Sequence, residues 1–395
     1  MSFSRRTFVQ TLGVGAAGVT AAMVSRRSGS QLLDMLARGV DRPLYAAETT
    51  DILCHNNENP VGPGEEVLQA IRTAFGPSGV PVGRYPFSRN GPVTEAIAAK
   101  FGVQPENVLL GNGSTQLLRT LTHVSCSADR ALVGSEPTYE ECAGYAALIG
   151  APVKSTKLTS DLKMDLDATM AAARGAGMVF FCNPSNPTAT ANSHADSVDF
   201  VTRTIQASPE TMFLVDEAYY DYATDPNYAT LIPMAAETPQ AVVCRTFSKA
   251  YGMAGLRLGY AIGHADTIKR MSDWDGTGSI NMAAYAGGLA AIERGEGFIE
   301  AERARNTEAR TFTREFFHNL GYQDSDSQTN FIFVDVKMPV ERFQAACREG
   351  GVRVGRPFPP LTTYCRISIG TMEEMQKATE VFANVLSAAQ SAAAA

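Results

Sequence analysis

The sequence predicts an α/β protein with a parallel main sheet covered on both faces, followed by a smaller α+β unit. Three observations carry this. Short apolar runs recur from residue 49 onward, each closing in a polar, Gly- or Pro-bearing turn: NVLLGNGS, ALVGSEPTY, MVFFCNPSNP, MFLVDEAYYDY and AVVCRTFSKAYG. Helical patterns lie between them, for example Thr115 to Cys126 and Glu140 to Ile149. Strands that are apolar throughout and alternate with helices indicate a parallel sheet, because the crossover helices cover both of its faces. After about residue 290 the pattern changes to a long charged helix, Glu293 to Leu320, then NFIFVDV, another helix and a strand near CRISIG.

Composition is consistent with this reading. The 395 residues are 45% hydrophobic and 19% charged, ordinary for a globular chain, and long enough to bury a substantial core. The net charge of -7 gives no reason to expect a nucleic-acid partner. No apolar run reaches the roughly 20 residues that span a bilayer, so no stable membrane anchor is expected. The seven cysteines lack CxxC spacing, and several sit in apolar stretches such as VFFCN and AVVCR, which reads as buried thiols rather than a disulfide framework. With five histidines and no His/Cys cluster at zinc spacing, no metal site is expected.

The amino terminus has a different character. Ser4-Arg5-Arg6-Thr7-Phe8 precedes thirteen weakly apolar, uncharged residues, Thr11 to Met23. A charged region followed by a short apolar one suits a signal peptide better than an anchor. The paired arginines resemble the twin-arginine export signal, with Val9-Gln10 in place of its last two residues. Ala46-Ala47 offers a cleavage region. Export to the periplasm or exterior is the expectation for residues 1–47; a chain carrying the two arginines by chance would stay cytoplasmic. Gly13 to Gly18 spells GxGxxG, but no βαβ unit follows it, so a dinucleotide site is rejected.

In open α/β sheets ligands bind beyond the carboxyl ends of the strands, so the polar residues there are the candidates for chemistry. Lys249 follows AVVCRTF in a Gly-rich turn, eight residues before Arg257. This suits a Schiff-base nucleophile near an anion, although a surface lysine fits the same pattern. Asp216 ends MFLV; it is either a helix N-cap or a carboxylate for the protonated ring nitrogen of pyridoxal phosphate. Gly111-Asn112-Gly113-Ser114-Thr115 opens a helix, as an anion cup or a plain capped turn. Tyr139, after Glu136-Pro137-Thr138, could stack on a cofactor ring or simply fill core.

In this order, over roughly residues 50 to 385, these elements resemble the class I/II aminotransferases of pyridoxal phosphate fold type I. Ser248-Lys249 with Gly252, Gly255 and Arg257 is the sharpest match. The closest branch resembled is that of the histidinol-phosphate aminotransferases, through Asn57 to Pro63 (NENPVGP), Arg84-Tyr85-Pro86 and Arg366 to Gly370 (RISIG).

The resemblance implies a large domain with a mainly parallel seven-stranded sheet and a small α+β domain built from both chain ends. The implied limits are an arm and part of the small domain at 48–90, the large domain at 91–290 and the small domain at 291–387; the low-complexity tail SAAQSAAAA makes 388–395 an expected disordered end. The resemblance also implies roles. Lys249 holds the cofactor as a Schiff base and moves the substrate proton; Asp216 pairs with the ring nitrogen; Tyr219 and Asn186 bond the ring oxygen; Tyr139 stacks. Gly113, Ser114, Thr115, Ser248 and Arg257 hold the cofactor phosphate, and Tyr85 reaches the phosphate of a second subunit, which implies a homodimer. Arg366 binds the substrate's carboxylate or phosphate, and Asn59 closes over the substrate. The partners implied are an amino donor and a 2-oxo acid acceptor.

Ala189 stands where that family usually has glycine, an exchange that leaves Asn186 in place. Arg353 and Arg356 are candidates for a second anion contact or for a solvated face. The expected reaction is transamination. A decarboxylase or lyase of the same fold is the alternative, because the cofactor does the chemistry and the site chooses which bond breaks. A non-catalytic binding domain of this fold is disfavoured by the complete residue set.

Overall fold

The computed structural model describes residues 50–76, 83–85, 91–274 and 280–394. The export motif at 1–47 lies outside the described residues.

The main sheet has seven strands: β2 (Val108–Gly111), β3 (Leu132–Glu136), β4 (Val153–Lys157), β5 (Met178–Cys182), β6 (Met212–Asp216), β7 (Ala241–Thr246) and β8 (Gly259–Gly263). Their order is β2-β8-β7-β6-β5-β3-β4. All pairings are parallel except those of β8, which runs antiparallel to both β7 and β2. The apolar runs feed two cores by simple alternation. Val179, Phe181, Phe213, Val215 and Val243 enter one, and Met178, Phe180, Cys182, Met212, Leu214, Val242 and Cys244 enter the other. A period of two in a strand apolar throughout puts greasy side chains on both faces, as the sequence pattern predicted. Helices α3 (Ser114–Ser125) and α4 (Glu141–Leu148) follow β2 and β3, and α6 (His194–Ala207) lies between β5 and β6. Ser193 caps α6 by accepting the amide of Asp196.

A second core gathers around two small sheets. Strand β9 (Phe331–Asp335) pairs antiparallel with β11 (Tyr364–Ser368), and β1 (Ile52–Cys54) pairs parallel with β10 (Val352–Val354). The chain's start and end thus share one unit. Helix α10 (Glu296–Asn319) joins the units: Ile299 packs in the first core, Ala309 and Phe317 in the second. Helices α11 (Val340–Glu349) and α12 (Met372–Ala394) complete the unit. The tail expected to be disordered continues α12 to Ala394, and Gln390 donates to the Tyr322 hydroxyl at 3.3 Å. Alanine is a strong helix former, so an already nucleated helix runs on through this segment to Ala394. All seven cysteines are free and buried, as expected.

Candidate active site

A cleft of about 420 Å³ opens at the carboxyl ends of β6 and β7. Its walls include Ser114, Thr115, Tyr139, Asn186, Asp216, Tyr219, Ser248, Lys249, Arg257 and Arg366, drawn from both units.

Lys249 follows β7 in a tight turn. Its Nζ donates to the Asn56 carbonyl at 3.2 Å and lies 5.7 Å from the Tyr219 ring centre. Burial, helped by the positive charges of Arg366 and Arg257, brings its ammonium down to about 8, against the opposing pull of Glu58 and Asp216. Asp216 is the last residue of β6. Burial pushes its carboxyl up to about 7, and among the described residues its one hydrogen bond comes from the Ala218 amide at 3.2 Å. Desolvated, with no ion pair among the described residues, this carboxylate is suited to a cationic ligand group.

One end of the cleft is built where β2 turns into α3. Gly113 has φ +75°, and a Cβ there would stand 2.2 Å from Arg257 Nη2, so only glycine lets the guanidinium lie on this turn. Arg257 donates to the Ser248 hydroxyl at 3.3 Å and to the Ala254 carbonyl at 3.0 Å. Among the described residues no carboxylate pairs with it. An unpaired guanidinium, two hydroxyl residues and the amides that open a helix form an anion cup. Gly252 (φ +67°) plays the matching part behind Lys249, because a Cβ there would stand 2.2 Å from the Gly62 carbonyl carbon.

The opposite end belongs to Arg366, on β11. It donates to Asn186 Oδ1 at 2.7 Å and to the His55 carbonyl at 2.6 Å, while its buried Nε has no partner. Burial, then the nearby charge of Arg356, lowers its pKa. Tyr219 accepts a hydrogen bond from Asn57 Nδ2 at 3.0 Å and packs edge-on against Phe331. Its hydroxyl proton and the Asn186 amide have no acceptor among the described residues, so both remain able to donate into the cleft.

The family description "Aminotransferase class I and II" matches residues 52–382. The chain belongs to the class I and II aminotransferases. The histidinol-phosphate aminotransferase of Moorella thermoacetica is 32% identical over 324 residues, covering 81% of this chain and 81% of that protein. That of Shouchella clausii is 32% identical over 344 residues, covering 85% and 90%. The solved histidinol-phosphate aminotransferase of Sinorhizobium meliloti, in complex with pyridoxal-5'-phosphate, has a TM-score of 0.78 at 25% identity, covering 86% of this chain and 91% of that one.

The cofactor of this aminotransferase is pyridoxal phosphate, and the cleft fits it. The Gly113–Arg257 turn provides an anion cup, the Asp216 carboxylate has no ion pair among the described residues, and the low-pKa Lys249 lines the same cleft.

Four sequence-predicted residues lie elsewhere. Asn59 is not on the cleft wall. Its Nδ2 donates to the Ala250 carbonyl at 3.1 Å and its Oδ1 accepts the Val61 amide, so it pins its own loop, and the residues facing the cleft are Asn56, Asn57 and Glu58. Tyr85 is 95% exposed and outside the cleft of its own chain. Arg353 pairs with Asp51 at 2.6 Å beside the β1–β10 ladder and is not on the cleft wall. Arg356 lies at the rim, ion-paired with Glu140. Asn57 was missed as a site residue: its amide N–H and Oδ1 both bond the Ser368 hydroxyl, which links the amino-terminal loop to β11. Ala189 keeps the left-handed turn with φ +64°, so the backbone accepts alanine in a conformation that favours glycine.

Proposed function

We propose that this aminotransferase moves an amino group to a 2-oxo acid from a donor whose anionic group is held by Arg366, and that histidinol phosphate, named in its relatives, is such a donor. The observation that carries the reading is a guanidinium with a buried, unpartnered Nε and, among the described residues, no carboxylate partner, in the same cleft as Lys249. A bidentate guanidinium accommodates carboxylate or phosphate alike.

Pyridoxal phosphate, when bound, supplies the electron sink that makes the donor's Cα proton removable. Lys249 Nζ is the base that takes this proton, and an amine held near 8 is available for the task close to neutral pH. Asp216 keeps a negative charge against the cofactor ring. Tyr219 and Asn186 donate to the ring oxygen, and Tyr139 covers the ring. Gly113, Ser114, Thr115, Ser248 and Arg257 take the cofactor phosphate. A phenol as exposed as Tyr85 is suited to a second subunit, and we propose a homodimer in which it completes the partner's cup. We also propose that the paired arginines Arg5-Arg6 direct export through the twin-arginine route.

The test is amino transfer by the purified enzyme, with histidinol phosphate, glutamate and aromatic amino acids as donors and 2-oxo acids as acceptors, monitored also for carbon dioxide. Acceptor-dependent amino transfer from histidinol phosphate is expected. Carbon dioxide release without acceptor would overturn transamination, and inactivity of histidinol phosphate beside an active amino acid would overturn the donor. Replacing Arg5-Arg6 by lysines should keep the protein in the cytoplasm. Unchanged fractionation would overturn export.

A further inference from the structure

The rim of the cleft carries a second guanidinium that is already occupied. Arg356 lies in the loop between β10 and β11, where Nη1 donates to the Pro357 carbonyl at 2.9 Å and Nη2 pairs with Glu140 Oε2. Its guanidinium carbon is 4.3 Å from the centre of the Phe358 ring, and that of Arg366 is 5.0 Å from the same centre. Both guanidiniums therefore pack against one buried ring; Arg366 lines the cleft, and Arg356 stands beside it off the cleft wall. Glu140 directly follows Tyr139, a residue of the cleft wall, so the ion pair ties the small unit's loop to the turn after β3. The Arg356 and Glu140 side chains are 51% and 64% exposed. A pair this wet contributes little to stability and exchanges readily. Its effect on potential is larger in consequence than its strength. While Glu140 holds Arg356, a donor reaching the Arg366 end meets one uncompensated guanidinium instead of two.

We propose that Glu140 is a positioning residue for substrate choice: by holding Arg356 at the rim it lowers the enzyme's preference for donors with a doubly charged anion, such as a phosphate monoester, relative to donors with a single carboxylate. A carboxylate is satisfied by Arg366 alone. A phosphate dianion gains from a second guanidinium, and must either displace Glu140 or tolerate its charge nearby. The inference rests on the reading that the Arg366 end of the cleft receives the donor's anion.

The test uses the holoenzyme and two inhibitors with the same apolar body, phenyl phosphate and benzoate, measured against whichever donor is turned over. Glu140→Gln is expected to tighten phenyl phosphate about fivefold and to change benzoate less than about twofold, the effect of one unit charge a few ångströms away at a wet rim. The change should appear in inhibition constants and in KM for phosphorylated donors, with kcat unchanged. Glu140→Asp should restore the wild-type ratio, and the gain should vanish when Arg356→Gln is combined with Glu140→Gln. Equal changes for both inhibitors, no change, or a gain that survives loss of Arg356 would overturn the inference. Arg366→Gln separates the two levels of the argument. If it leaves both inhibition constants unaltered, the anion end is misplaced and the inference falls with it. If it abolishes both while Glu140→Gln does not discriminate, the role of Glu140 alone falls.

Discussion

Asp216 and Glu217 are neighbours in sequence and both are buried, yet they live in opposite regions. Glu217 faces the packed interior and is saturated. It accepts Arg245 Nε at 3.0 Å and Nη2 at 2.8 Å, the Thr230 hydroxyl at 2.7 Å and the Leu231 amide at 2.8 Å. Arg245 in turn lies 3.6 Å from the Tyr220 ring centre. Asp216 faces the cleft with a single amide at 3.2 Å. Compensated burial of charge is architecture. Uncompensated burial leaves an unmet electrostatic demand that a ligand can answer, and this difference locates the active site more sharply than cavity size does.

The comparison can be broken or sharpened in four ways. On the cleft side, Lys249→Ala should lower transamination by about 10⁴-fold or more, with circular dichroism unchanged, because it removes the group that moves the proton. On the packed side, Arg245→Met should leave Glu217 buried without its cation and lower stability by about 3–5 kcal/mol, read by denaturant unfolding. A loss below about 1 kcal/mol would erase the contrast.

Asp216→Asn should do the reverse. Activity should fall about 10²–10³-fold, as when a preorganised electrostatic partner is removed. The cofactor-free protein should become no less stable and should lose part of its pH dependence. The sign follows from the raised carboxyl. With a folded pKa near 7 and an unfolded one near the ordinary 3.8, the folded state binds more protons between them. This group's contribution is therefore full at low pH and fades as pH rises through about 7. The asparagine variant should lack that slope in unfolding measured from pH 4 to pH 8. The smallest effect concerns the lysine itself. Competitive acetylation of Lys249 in cofactor-free protein should titrate near 8, and a midpoint near the ordinary 10.5 would show that the cleft does not desolvate it.

Much of this was legible from residues. The runs of β2, β3, β5, β6 and β7 announce themselves because both faces are apolar. Strand β4 does not, since VKSTK is an edge strand with mostly exposed side chains. Strand β8, GYAIG, hides behind its two glycines and reverses direction against β7 and β2. In the site, Lys249, Asp216 and Arg257 lie within turns whose local pattern marks them. Asn59 turns into its own loop, because which side chain of Asn56 to Asn59 faces the cleft depends on Ala250 and Ser368, far away in sequence. Arg353 and Arg356 look alike in GVRVGR, and only their acidic partners, Asp51 and Glu140, separate a ladder pair from a rim pair.

The sequence by itself determined the class of fold and the reactive strand ends, because hydrophobic period and turn chemistry are local properties that act within a few residues. Tertiary structure decided what each charge experiences. Lys249 and Arg366 come together only when β11 packs beside the loop of Asn57, across 311 residues of chain between Asn57 and Ser368. The fall of the lysine to about 8 and the rise of Asp216 to about 7 arise chiefly from burial, which exists only in the folded chain.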